Sequence, residues 1–325
     1  MSTNSDESVS QQALLAVQEM LLNYKTGGAL DRIDQRAERG GTLRPWGVNM
    51  HMPVPGSVLA DDDTFFRSTY PDADLSNTPV TAAALFPIAN ATENLAAVGV
   101  LVQERKNRQL YSSATMQLCR SAMEGSARAI WLLGDTSRQV RVDQCLALLA
   151  QELGEQKRFV GLQKASIHAA ATPPTPEELN DLADHSQKVD QFLTDLNKTY
   201  TVPKAKGYTE TVKLAATWID DNRPAHATGD LASISFAPIA REFYSYGSSF
   251  VHGLQWAVDY GLNDRLYGMI ADGIFSALIM TECAVALFEA LSRDPADAGT
   301  SHKDARVPAH LEPTIQAWAQ MYDAP

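Results

Sequence analysis

Apolar residues recur at every third or fourth position through most of this chain, and this spacing predicts a series of amphipathic α-helices. The sequence lacks the alternation with a period of two that a half-buried strand requires. We therefore expect an all-α, multi-helix bundle whose neighbouring helices run up and down. The helices are predicted over residues 11–36, 79–108, 110–133, 137–163, 176–199, 208–220, 238–260, 263–292 and 308–322.

Two segments depart from the regular pattern. Residues 42–78 contain four prolines and the run Asp61–Asp63, which predicts a long irregular N-terminal arm. The acidic run is expected to be a solvated turn, because a hard cation needs several converging oxygen ligands. The helix over 176–199 follows a capping signal at Thr175 and carries only a thin apolar stripe, so we expect a protruding helical hairpin or a coiled-coil-like dimer element.

These boundaries divide the chain into four parts. We expect a disordered N-terminus over 1–9, followed by the N-terminal helix and irregular arm over 10–78. The helical bundle then occupies 79–294, and a C-terminal spacer with a short helix occupies 295–325.

The helix predicted over 238–260 separates an apolar face from a narrow polar stripe. At about 100° per residue, Arg241, Ser248 and His252 fall on this stripe, and Tyr244 lies between the stripe and the apolar face. Cationic, imidazole and hydroxyl groups aligned on one helix are candidates for ligand binding and for acid–base chemistry.

The helix predicted over 110–133 carries charge inside its apolar sector. Arg120 projects beside Trp131, and because a buried guanidinium rarely lacks a partner, we expect it to pair with Glu124 one turn further on. The alternative is that Arg120 extends past Trp131 to water. Arg128 follows Glu124 after one more turn.

We expect the polar stripe and the charged sector to face each other, and two interpretations follow. The group is either a hydrogen-bond network that fixes the register of two helices, or a pocket for an anionic or nucleotide-like ligand. In the second interpretation, the ligand-binding residues are Arg120, Arg128, Arg241, Tyr244 and Ser248, and the catalytic acid or base residues are His252 and Glu124.

The overall charge limits the class of partner. The formal net charge is −12, which disfavours an extended DNA-binding surface and leaves RNA or a nucleotide as a candidate ligand. The three cysteines, Cys119, Cys145 and Cys283, are widely spaced in apolar helical contexts, so we expect buried, inert thiols.

Familiar sequence motifs for cofactors and metals are missing. The sequence contains neither a phosphate-binding loop nor a nucleophile elbow, and it has no Glu-x-x-His pair for a helical metal site. We therefore expect no cofactor and no metal. The N-terminus is polar, and apolar runs fall short of eighteen residues, which predicts a cytoplasmic protein without a membrane span.

Two stretches resemble a large bacterial family of all-helical proteins. They are RSAMEGSARAIWLLGD, from Arg120 to Asp135, and YSYGSSFVHG, from Tyr244 to Gly253. That family is distantly similar to the HEPN superfamily, which includes toxin ribonucleases and defence or stress proteins. HEPN ribonucleases carry an arginine and a histidine separated by four to six residues, and neither of the two resembling stretches contains such a pair. The resemblance therefore implies a binding module without the usual ribonuclease chemistry.

Three functions are consistent with these observations. The first is a cytoplasmic, HEPN-like binding or regulatory module in defence or stress response, forming a homodimer or other homo-oligomer. The second is an RNA-processing or nucleotide-acting enzyme that uses Arg120, Glu124, Arg241 and His252. The third is an oligomeric scaffold that assembles through the 176–199 helix and the 42–78 arm.

Overall fold

The computed structural model describes residues 16–73, 76–105, 110–167, 173–228, 230–256, 259, 265–293 and 306–322. Within these ranges the regular elements are helices, and no strand occurs. The predicted all-α multi-helix bundle is therefore confirmed. The predicted disordered segment over 1–9 and most of the predicted spacer over 295–306 lie outside the described residues.

The helices are α1 (16–25), α2 (Ala29–Gly41), α3 (Arg44–Val48), α4 (Val58–Thr69), α5 (Pro79–Glu104), α6 (Ser112–Leu133), α7 (Arg138–Ile167), α8 (Pro176–Thr199), α9 (Tyr208–Asp221), α10 (Asp230–Ser233), α11 (Phe236–Val251), α12 (Arg265–Ser292) and α13 (Glu312–Tyr322). Short 3-10 turns occur at Pro71–Ala73 and Ala309–Leu311.

Helix α12 is the centre of the bundle. From Ile270 to Ser292 every residue except Asp272 and Phe275 is buried, as its nearly uniform apolar composition predicts. Helices α2, α5, α6, α11 and α13 all pack against it. The three cysteines are free and buried in this surrounding core, which confirms the prediction of buried thiols.

The N-terminal helix predicted over 11–36 is two helices. Gly27 and Gly28 adopt φ values of 61° and 75°, a left-handed conformation that glycine adopts at little cost and that ends α1. The Asn23 side-chain oxygen then accepts the backbone N–H groups of Leu30 and Asp31 at 3.1 and 3.3 Å, so it satisfies the start of α2.

The prediction of an irregular arm over 42–78 is wrong, because much of this segment forms α3 and α4. Asp62 and Asp63 do not lie in a solvated turn but are buried in α4. Asp62 accepts two hydrogen bonds from Arg141 of α7, at 2.6 and 2.8 Å. Asp63 accepts the backbone N–H groups of Val80 and Thr81 at 2.8 and 3.1 Å, and therefore caps α5 from another helix.

Helices α7 and α8 form the predicted hairpin. The side chain of Thr175 accepts the Glu178 backbone N–H at 3.2 Å in a capping box, as the sequence indicates. The apolar stripe of α8 is thin, with Val189 and Leu196 buried, and α7 is the neighbour that packs along α8. Homodimer formation stays a prediction.

By length and composition alone, α5 and α12 could each cross a membrane. In the most apolar 18-residue window of α12, 94% of the residues are buried in the bundle, against 33% in α5. The core helix of a soluble protein passes the same test, so the predicted cytoplasmic location stays a prediction.

Pro87 lies inside α5, which runs unbroken from Pro79 to Glu104, and its carbonyl group faces Gly125 of α6. A Cβ atom on Gly125 would lie 2.5 Å from the Pro87 carbonyl oxygen. We expect Gly125→Ala to force the two helices apart and to lower the free energy of unfolding by about 1–3 kcal/mol, measured by urea denaturation.

The matched control is Gly154→Ala in α7, where a Cβ would meet nothing within 4 Å. Alanine there removes backbone freedom from the unfolded chain and should leave stability unchanged or raise it by up to about 1 kcal/mol. Equal stability of the two variants would contradict a close crossing of α5 and α6.

Candidate functional site

The structure brings together three of the side chains singled out in the sequence, at the crossing of α6 and α11. Arg120 Nη2 lies 2.8 Å from Glu124 Oε1, and the Tyr244 hydroxyl donates to the same oxygen at 2.8 Å. Arg120 Nη2 also donates to the Tyr244 hydroxyl at 3.3 Å. The guanidinium lies 5.0 Å from the centre of the Tyr244 ring. We call these three residues the α6–α11 triad.

The triad is a closed hydrogen-bonded group. The side chains of Arg120 and Glu124 are 18% and 20% exposed, so the pair is neither fully buried nor free in solvent. Burial raises the pKa of Tyr244, and the hydrogen bond to Glu124 acts in the same direction. The phenol therefore stays protonated at neutral pH and donates to the carboxylate.

The remaining predicted site residues do not join this group. Arg128 forms an ion pair with Glu152 of α7. Ser248 is half-buried and Arg241 is exposed, and neither side chain forms a hydrogen bond or ion pair with the residues that the structure describes.

His252 lies beyond the end of α11, and the helix predicted over 238–260 stops at Val251. Gly253 adopts φ 62°, and its N–H donates to the Phe250 carbonyl at 3.3 Å, while Leu254 N–H donates to Ser249 at 2.9 Å. This is a Schellman motif, which ends the helix. His252 is consequently exposed and does not continue the polar stripe.

A second polar centre, which the helical pattern did not indicate, surrounds Glu282 in the middle of α12. Its side chain is 0% exposed, yet it carries a carboxylate. Arg39 of α2 donates to both oxygens from Nε and Nη2, at 2.6 and 2.8 Å. His310 Nε2 lies 2.7 Å from Oε1, and His226 Nε2 lies 3.4 Å from Oε2.

These partners keep Glu282 ionised. Burial opposes ionisation, but interactions with His226, His310 and Arg39 together outweigh it and lower the pKa of Glu282 to about 2. His226 is in turn fixed by Thr314, whose hydroxyl oxygen lies 2.9 Å from the backbone nitrogen and 2.7 Å from Nδ1 of His226. Glu282 thereby connects α2, the segment after α9, α12 and the turn before α13.

Two imidazoles and a carboxylate can also form a ligand set for a transition metal. Here the permanently charged Arg39 guanidinium bonds both oxygens of Glu282, which disfavours a second cation. Across the described ranges, no group of three or more His, Cys, Asp or Glu side chains has the geometry to hold a metal ion.

Glu289, two turns after Glu282, is a second buried carboxylate on α12. Trp46 Nε1 donates to Glu289 Oε1 at 2.7 Å, and His51 Nε2 lies 3.3 Å from the same oxygen. Arg293 Nε lies 3.6 Å from Oε2, and its Nη1 donates to Glu312 at 2.7 Å. This group connects α3 and the loop after it to α12 and α13.

Two neighbouring cavities lie along α2 and α12. The larger, of about 390 Å³, is called the aromatic cavity and is lined by Arg32, Arg36, Ile234, Ile239, Glu242, Phe243, Tyr246, Met269, Asp272 and Phe275. The smaller, of about 260 Å³, is called the arginine cavity and is lined by Gln35, Arg36, Arg39, His226, Thr228, Phe275, Leu278 and Ile279.

Arg36 and Phe275 line both cavities and form the boundary between them. The Arg36 guanidinium lies 4.7 Å from the centre of the Phe275 ring. It also donates to the Ala271 carbonyl at 2.6 Å and lies 3.4 Å from an Asp272 oxygen. The boundary is therefore a stacked pair held by α12.

Sequence signals for these features exist, although they are weaker than a motif. Arg32, Arg36 and Arg39 recur at positions that share one face of α2. Glu282 and Glu289 interrupt an otherwise apolar helix, and a charge in such a helix requires a partner. The identity of the partners could not be read from local spacing.

Comparison of the chain with protein-family models, with curated proteins and with solved structures found no match. Kinship with the HEPN superfamily therefore stays a prediction.

From the geometry of the α6–α11 triad we expect Arg120→Ala to destabilise the protein moderately. Glu124 keeps the Tyr244 hydroxyl and part of its hydration, so we expect a loss of about 1–3 kcal/mol in the free energy of unfolding. This is smaller than the loss on leaving a fully buried charge unpaired. Arg158→Ala serves as the control, because Arg158 is 75% exposed in its pair with Glu155 and its loss should cost under about 1 kcal/mol. Equal effects in urea denaturation would show that the triad stabilises no more than a surface pair.

Because the pKa of Glu282 is lowered, we expect the free energy of unfolding to depend on pH in a specific way. Its pKa is lowered from 4.5 to about 2, so its contribution is complete above pH 4.5 and is lost as the pH falls towards 2. This contribution is on the order of 3 kcal/mol. We expect Glu282→Gln to be markedly less stable than the wild type at pH 7, and the difference to narrow as the pH falls below 4.5.

Urea denaturation of both proteins between pH 7 and pH 3 measures this difference. The control is Glu155→Gln, since the Glu155 side chain is 61% exposed. A gap between wild type and Glu282→Gln that stays constant over this range would contradict the ionised state of Glu282.

Proposed function

We propose that this protein is a non-catalytic binding module that takes a small ligand into the aromatic cavity between α2, α11 and α12. The cavity itself is the observation that carries this proposal. Its volume of about 390 Å³ falls within the range of small-molecule sites, and its lining combines three aromatic rings with a few charged groups. The proposal keeps the binding or regulatory role expected from the sequence but places the ligand elsewhere.

The rigidity of the cavity wall supports a preformed site. A Cβ atom on Gly273 would lie 2.2 Å from Phe243 Cε2, so the Phe243 ring rests directly on the backbone of α12. Phe243 is 4% exposed. A ring that is fixed by packing offers contact area to a ligand at little cost in conformational entropy.

Two observations favour binding over catalysis. The α6–α11 triad is internally bonded, and the predicted acid or base His252 is exposed at a helix end outside it. The described residues that line the aromatic cavity include no serine or cysteine, and burial raises the pKa of Tyr246, which keeps its phenol neutral. No feature of the cavity favours the RNA-processing enzyme or the scaffold.

Titration with N-phenyl-1-naphthylamine, a neutral aromatic fluorescent probe, tests the proposal. We expect saturable binding to the wild type. Ile239→Trp places an indole in the cavity and should weaken binding by at least about tenfold. Leu179→Trp adds the same side chain at a 37% exposed position on α8 and should bind the probe as the wild type does.

Absence of saturable binding to the wild type would overturn the proposal. Equal affinity of the wild type and Ile239→Trp would also overturn it, because the probe would then bind elsewhere. Circular dichroism and urea denaturation of the variants establish that both are folded.

A further inference from the structure

We infer that the arginine cavity is an anion subsite, and that the ligand has an apolar or aromatic body with one acidic group. This inference rests on the proposed function and defines the chemistry of its ligand. The acidic group, a carboxylate, sulfonate or phosphate, would occupy the arginine cavity, and the body would lie in the aromatic cavity.

The charge of the lining is the first reason. Among the described residues that line the arginine cavity, the formally charged side chains are Arg36 and Arg39, and both are cationic. Gln35, His226 and Thr228 add further groups that can donate hydrogen bonds. The neighbouring carboxylate of Glu282 is turned to its own partners and does not line the cavity.

The bonding of Arg39 is the second reason. Its Nε and Nη2 are engaged by Glu282, whereas Nη1 has no hydrogen-bond partner among the described residues. The Arg39 side chain is 38% exposed, so the guanidinium is not fully buried. Glu282 holds the guanidinium in one orientation, and an oriented guanidinium binds an oxyanion with less loss of side-chain entropy.

His226 supplies a buried imidazole at the same cavity. Its side chain is 1% exposed, and Nε2 lies 3.4 Å from Glu282 Oε2, the carboxylate whose pKa this contact helps to lower. The Thr314 hydroxyl accepts the His226 backbone N–H at 2.9 Å and lies 2.7 Å from Nδ1 of the same ring, so the imidazole is held in one orientation. Because His226 also lines the arginine cavity, an acidic group there would lie beside this ring.

The two cavities adjoin, which places the acidic group beside the body. Because Arg36 and Phe275 line both, a single molecule that crosses this boundary contacts the cation and the ring together. Among the described residues that line the aromatic cavity, Glu242 and Asp272 balance the charges of Arg32 and Arg36. Of the described charged residues, Arg39 lines the arginine cavity but not the aromatic cavity, and it sets the orientation of the ligand.

A matched pair of probes tests this inference. 1-Anilinonaphthalene-8-sulfonate and N-phenyl-1-naphthylamine share the same ring body and differ by one sulfonate. We expect the wild type to bind the sulfonate probe at least about tenfold more tightly, and added salt to reduce that preference.

Gln35→Glu is the diagnostic variant, because Gln35 is exposed and its side chain forms no hydrogen bond with the described residues. A carboxylate at the rim should weaken binding of the sulfonate probe by about tenfold through like-charge repulsion, and leave the neutral probe within about twofold. Gln187→Glu makes the same change of charge on exposed α8 and should alter neither affinity.

The outcomes separate the two proposals. If the neutral probe binds in the cavity and the sulfonate probe binds no more tightly, the anion subsite is overturned and the binding module stands. An unchanged preference in Gln35→Glu also overturns the subsite. If neither probe binds the wild type, the proposed function fails with it.

Discussion

One ionised carboxylate in the middle of the most buried helix determines how the rest of the bundle is arranged. Glu282 cannot stay charged inside α12 unless other segments bring donors to it. Arg39 comes from α2, His226 from the segment after α9, and His310 from the turn before α13. A well-packed bundle in another register would leave this charge unpaired, so the carboxylate selects the arrangement as well as stabilising it.

The same arrangement, a buried carboxylate that receives donors from other segments, occurs at two other places in the fold. Glu289 connects α12 to Trp46 of α3, and Asp62 connects α4 to Arg141 of α7. In each case an acidic side chain on one helix receives donors from distant parts of the chain. Segments that look irregular in the sequence, such as residues 42–73, supply or receive these hydrogen bonds. The hydrophobic core provides most of the driving force, and the carboxylates specify which helices meet.

Helix α11 contributes both to the α6–α11 triad and to the proposed ligand site. Tyr244 contacts Arg120 and Glu124 of α6, whereas its neighbours Phe243 and Tyr246 line the aromatic cavity. Tyr244, which lies between the predicted polar stripe and the apolar face, thus joins α11 to α6, and Ile239 and Phe243 of the apolar face line the cavity. Glu282 likewise has two roles. It holds α2 against α12, and it fixes Arg39 beside the arginine cavity.

The sequence by itself determined the helical class, the α7–α8 hairpin with its cap at Thr175, the buried α12 and the pairing of Arg120 with Glu124, because helical periodicity, capping and contacts one turn apart are local properties. The glycines at Gly27–Gly28 and Gly253 are also local signals for the end of a helix, but helical spacing alone predicted helices that continue past them. Only the tertiary structure decided which carboxylates are buried and where the cavities lie. Arg39 and Glu282 are separated by 243 residues, and the spacing of residues within a helix carries no information about a partner that far along the chain.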